Sequence, residues 1–146
     1  MSEDLPPRFS ATLHRIEVHA GPVRREVDDE TVWSVSIGSI DHETLALWAY
    51  LRRASTVGFG QAQALGFVRR SWVEINATEQ TKSDFVTWAR ENVTEVLYDE
   101  ARRALQSQAA HMDFSFDLPL KAPSLEITWV EPEDDEAEPA DSGAST

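Results

Sequence analysis

Residues 57–70, VGFGQAQALGFVRR, hold three glycines within nine residues: Gly58, Gly60 and Gly66. Glycine takes positive φ at little cost and lets a second backbone come close. Three of them between a helix-like run and a strand-like run predict a loop. Gly58 stands where a helix C-cap glycine would sit, after RRASTV. Gly60 and Gly66 would shape the approach to the next strand. Inward-pointing N–H groups in such a loop can cradle phosphates. The familiar nucleotide motifs are missing. There is no G-K-[ST] and no G-x-G-x-x-G, and the glycines follow a helix pattern rather than open one. A cap, a tight turn and a bulge explain the run equally well.

The flanks carry clear periodicities. In FSATLHRIEV the apolar residues Phe9, Ala11 and Leu13 change parity before Ile16 and Val18, which predicts a bulge in a strand. Gly21, Pro22, Asp28 and Asp29 mark a turn. In TVWSVSIGSI, Trp33, Val35 and Ile37 alternate with Ser34, Ser36 and Gly38, the pattern of a half-buried strand. Asp41 then reads as an N-cap, and HETLALWAYLRRAS (42–55) as a helix whose Leu47, Trp48, Leu51 and Ala54 share a face. Strand is the competing reading there, because Leu45, Leu47 and Ala49 also alternate. FVRRSWVEIN reads as a strand. TKSDFVTWARENVTEVLYDEARRALQSQ is the strongest helix, with Phe85, Trp88, Ala89, Val93, Val96, Leu97, Ala101, Ala104 and Leu105 at three- and four-residue steps. MDFSFDLPL and SLEITWV read as two closing strands.

The resulting order, β-β-α-β-α-β-β, predicts an α+β fold with two helices packed on one face of an antiparallel sheet, and a ferredoxin-like arrangement fits it. Residues 1–8 read as a flexible leader, 9–130 as one domain and 131–146 as a disordered acidic tail. That tail, EPEDDEAEPADSGAST, holds seven acidic residues and no lysine or arginine. Subtracting those seven from the net charge of −13 leaves −6 on the remainder. An acidic body argues against broad non-specific nucleic-acid binding, though a local basic patch stays open. Cysteine is absent, which rules out disulfides and thiolate zinc sites and suits a cytoplasmic setting. The first residues lack the basic start and apolar run of a signal peptide. No apolar run nears the ~20 residues that span a bilayer.

Catalytic signals are weak. His14, His19, His42 and His111 show no paired metal spacing. His42 between Asp41 and Glu43 could be an acid–base cluster, but a helix start explains all three more simply. Serine lacks a G-x-S-x-G setting and a base partner. No catalytic constellation, cofactor or metal site is expected. Trp33, Trp48, Trp72, Trp88 and Trp129 are spread one per element, as core residues are. Trp72 lies between the polar Arg70 and Glu74 and is the candidate for an interface.

The succession TVWSVSIGSIDHETLALWAYLRRASTVGFGQAQALGFVRRSWVEI resembles the RAMP superfamily of CRISPR-associated proteins, in which a strand, a helix, a glycine-rich loop and a strand follow one another in ferredoxin-like domains. The resemblance covers about residues 16–75. It implies a non-catalytic, RNA-binding or assembly subunit of an antiviral CRISPR-type effector. Its partners would be other CRISPR-associated subunits and guide RNA, with no membrane and no small-molecule substrate. Gly58, Phe59, Gly60, Gln61, Gln63 and Gly66 would be the RNA-contacting loop. Loop N–H groups would meet phosphates, Phe59 would stack on a base, and Arg69 and Arg70 would add charge.

A second resemblance points elsewhere. WARENVTEVL, followed later by DLPLKAPSLEI, is similar to the SecB export-chaperone family, with its sheet, long helix and acidic tail. It implies a chaperone or other protein-binding module. Residues 42–55 separate the two readings: a helix there favours the ferredoxin-like module, and a long hairpin strand favours the chaperone fold.

Overall fold

Alternation decides the first half of the chain. A computed structural model describes residues 9–21, 29–125 and 127–130. It begins with four long strands in succession: β1 (Phe9–Ala20), β2 (Glu30–Asp41), β3 (Thr44–Ala54) and β4 (Gly58–Val68). Three helices follow, α1 (Trp72–Ile75), α2 (Glu79–Asn92) and α3 (Thr94–His111), and then a short strand, β5 (Ile127–Trp129). The sheet order among the described residues is β1-β4-β3-β2-β5. β5 runs parallel to β2 and every other pairing is antiparallel. The leader 1–8, the turn residues 22–28 and the acidic stretch 131–146 lie outside the described residues.

The α+β class holds, with the helices on one face of the sheet, but the element order differs from the expectation. Residues 44–54 are strand, not helix. Leu45, Leu47 and Leu51 are fully buried and point to the helices, while Trp48, Tyr50 and Arg52 point the other way. The helix pattern in this segment puts leucine on one side only if Trp48 joins it. The strand pattern buries the leucines and also pairs the backbone with both β2 and β4. That two-sided pairing overrides a good local helix propensity. Asp41 caps no helix. It makes a tight turn by accepting a hydrogen bond from Glu43 N at 2.8 Å, as aspartate does in turns.

The glycine run is likewise strand β4, in the interior of the sheet. None of its three glycines has a left-handed φ; among the described glycines only Gly21 does, at 83°. What they supply is room. Every second residue of β4, from Gly58 through Gly60, Ala62, Ala64 and Gly66 to Val68, is buried. A Cβ on Gly60 would lie 2.7 Å from the Phe116 ring and 3.0 Å from Leu105 Cδ2. One on Gly58 would lie 2.5 Å from the Phe114 ring and 2.9 Å from the His19 carbonyl oxygen. The small stripe seats α3 and the chain that follows it directly on the sheet.

The bulge in β1 falls where the parity change predicts it, between Leu13 and Arg15. The expected strand 67–76 ends at Val68 and continues into α1, capped by Ser71. The single long helix is two, divided at Val93, with α2 closed at its start by a Thr78–Thr81 capping box. MDFSFDLPL forms no strand. Side chains satisfy its backbone instead. Gln106 both donates to Phe116 O (2.6 Å) and accepts from Phe116 N (2.9 Å). Tyr98 Oη donates to Pro119 O at 2.6 Å, and Glu95 accepts from Ala122 N at 2.9 Å. From β3, the buried Arg53 donates to Asp117 O, Glu30 O and Ala54 O. Among the described residues of SLEITWV, Ile127–Trp129 is strand. Trp72 meets Trp129 edge-on at 5.3 Å, so its interface is internal. No helix among the described residues is long and apolar enough to cross a membrane.

Candidate functional site: the sheet face opposite the helices

With helices and the 113–118 segment on one side, strand alternation sends the other side chains to a face that no described helix covers. Cross-strand register arranges them in rows. At one end Phe67 lies beside Ala46 and Gly38, and Leu65 beside Trp48 and Ser36. Trp48 is 38% exposed, and its indole reaches across Gly38, where a Cβ would meet it at 2.7 Å. Val130 borders the same spot at 3.5 Å, and Ile40 is half exposed. This end is an apolar shelf held open by a glycine.

The other end is polar and hydrogen-bonded. Tyr50 Oη donates to Gln61 Oε1 at 2.7 Å, and Gln61 Nε2 donates to Glu17 Oε1 at 2.7 Å. Glu17 Oε2 pairs with His19 Nε2 at 2.7 Å. The relay thus joins β3, β4 and β1. The His19 contact first, then the Gln61 donor, holds the Glu17 carboxyl below its usual value. The Arg52 guanidinium sits 5.4 Å from the centre of the Phe59 ring, within cation–π range.

The eight residues expected to contact RNA are not brought together. Gly58, Gly60 and Gly66 face the helices, while Phe59, Gln61 and Gln63 face outward from the same strand. β4 is flanked by β1 and β3, so its backbone N–H groups belong to the two ladders and form no phosphate cradle. Arg69 lies past the strand end, exposed, with Nη2 at 3.3 Å from Glu43 Oε1. Arg70 is half-buried and its N–H bonds Val68 O. The site residues that sequence reasoning left aside are Trp48, Tyr50, Leu65 and Phe67. Their signal was present: between Gly58 and Val68 every second residue is small, and the intervening ones are Phe, Gln, Gln, Leu and Phe.

Among the described residues no three His, Asp or Glu side chains gather to hold a metal. An open cavity of about 380 Å³ lies beyond the α2–α3 junction, between Arg90, Thr94 and Glu95 and the chain at Ala122–Leu125. In comparison with known proteins, the chain matches no family model, no curated protein and no solved structure.

Proposed function

We propose that the chain is a protein-binding module of the SecB-like chaperone kind, holding non-native polypeptide segments on the sheet face opposite the helices. The observation that carries this reading is strand β3: residues 44–54 form a long hairpin strand, the outcome that separates the chaperone reading from the ferredoxin-like one. The shelf of exposed Trp48 and Ile40 with half-buried Leu65 and Phe67 supports it, since a contiguous apolar patch on a sheet marks a place where another apolar surface is received. Extended segments of unfolded chains offer that surface without a fixed sequence.

The test is suppression of aggregation of a guanidine-denatured reporter protein on dilution. The full chain is expected to suppress it at near-stoichiometric ratio. Leu65→Thr/Phe67→Thr keeps strand propensity while removing apolar area and is expected to lose most of the effect. A folded double variant with full activity overturns the assignment of the face.

The RAMP-like reading keeps a narrower footing, in Phe59, Gln61 and Gln63 beside Arg52 and Tyr50, an aromatic and amide surface suited to bases. The ferredoxin-like arrangement that goes with it would need a helix between the strands of 30–68. Gentle purification from the native host separates the two. Unfolded clients without RNA support the chaperone reading; short, uniform RNA with CRISPR-associated subunits replaces it.

A further inference from the structure

We propose that β5 is a docking edge at which an extended, basic and aromatic polypeptide segment adds as a sixth strand; this rests on the protein-binding reading above. Among the described residues β5 ends the sheet at the side of β2. Val130 N–H bonds Ile37 O at 2.8 Å, and Thr128 is paired with Ser36. In a parallel ladder the N–H and C=O of one residue point to the same neighbour. Thr128 and Val130 therefore address β2, and Ile127 and Trp129 turn their N–H and C=O outward, where no described strand pairs with them. Such a row is a template for another chain.

The opposite edge is less suitable. β1 is long, but its bulge between Leu13 and Arg15 interrupts the row, a common guard against edge pairing. The helix-side face of β5 is already packed, with Lys82 Nζ also 5.0 Å from the Trp129 ring, and its other face borders a surface that would receive side chains. Trp129 lies at 5.3 Å from Trp72 and 6.4 Å from Phe85, on the helix side. Thr128 is exposed on the other side, in the same row as Ser36 and Trp48. Immediately before the strand, the 380 Å³ cavity opens between Arg90, Glu95 and Pro123–Leu125.

Charge selects the occupant. The chain carries −13, and seven of its acidic residues follow β5 directly in sequence. A segment with lysine or arginine between its aromatic residues is attracted; an acidic one is repelled. The two outward residues offer few backbone bonds, so side chains must supply much of the affinity.

The probe is a fluorescein-labelled decapeptide alternating arginine with phenylalanine and valine, titrated into the full chain and followed by anisotropy. A second peptide of the same sequence is N-methylated at alternate residues, which removes strand pairing from one edge. Its two registers are made so that each edge is blocked in turn. At least one register is expected to bind roughly tenfold more weakly, the scale of one or two lost neutral hydrogen bonds. Ile127→Pro removes an outward N–H without touching the β2 ladder, as proline is tolerated on edge strands, and is expected to weaken the unmodified peptide similarly. Equal binding of all three peptides overturns the edge, and leaves the protein-binding reading standing if Leu65→Thr/Phe67→Thr lowers affinity. Binding by none of them overturns both.

Discussion

At the scale of single residues, the glycines of β4 differ from one another in a way that stability measurements resolve. Gly60 sits under the Phe116 ring and Leu105, and a methyl group there must displace both. Overpacking of this kind costs about 1–3 kcal/mol, so Gly60→Ala is expected to lower the urea midpoint at unchanged m-value. Gly58→Ala is the harsher change, because the His19 carbonyl oxygen at 2.9 Å is backbone and cannot swing aside. Gly66 stands apart. Its nearest neighbours, Leu97 and Val93, would lie 3.4–3.5 Å from the new Cβ, an ordinary contact. Gly66→Ala is therefore expected to be neutral or to add about 0.4–1 kcal/mol by restricting the unfolded chain. Equal losses at Gly60 and Gly66 would mean that backbone freedom, and not room under α3, is what the glycines provide.

At the scale of elements, the segment between α3 and β5 is bound by side chains rather than by a ladder, and Arg53 is its anchor on the sheet. Its guanidinium is buried, donates to three carbonyls and lies 3.7 Å from Asp29 Oδ2. Arg53→Ala is expected to cost about 1.5–3 kcal/mol, the range for hydrogen bonds made by a charged group. Hydrogen exchange at the Phe116 amide should quicken more than at β3. Gln106→Ala should speed the same amide and leave Arg53 in place. The relay on the other face gives a pH signature. Because Glu17 is held below its usual value, its contribution is present at neutral pH. It is lost as pH falls through the ordinary glutamate value of ~4.3 toward the lowered one. A stability gap between the native chain and Glu17→Gln should therefore close on acidification; a gap unchanged at pH 3 would remove the carboxylate from the relay.

These elements also mark what the sequence makes legible. The β1 bulge and the buried face of β2 could be read from parity alone, since each is a local alternation with one apolar set. Residues 44–54 and 58–68 could not be decided locally. Both have apolar or small residues at positions that suit a helix or a loop, and both became strand because an interior strand is fixed by ladders on both of its edges, which no single window of sequence shows. The candidate face was hidden for the same reason. Phe59, Leu65, Trp48 and Tyr50 form one surface only once β3 and β4 are paired. The segment 112–120 alternates like a strand, but the partners for its backbone are Gln106, Tyr98 and Arg53, which no period reveals.

At the scale of the whole molecule, charge and apolar shape make separable contributions to any client interaction. The shelf at Trp48, Leu65 and Phe67 carries no charge, so its part of the affinity should be insensitive to salt. The net charge of −13 acts over distance and is screened within ~8 Å at physiological ionic strength. It should therefore govern how fast a basic client arrives rather than how slowly it leaves. A chain ending at Val130 loses seven of the acidic residues and keeps the sheet, the helices and β5. Stopped-flow association with the arginine-containing decapeptide is expected to slow in the shortened chain at low salt. The two chains should converge as salt is raised, with dissociation rates alike throughout. A slower dissociation from the shortened chain would have a different meaning: residues 131–146 would then compete with the client for its site, and their acidity would serve to clear it.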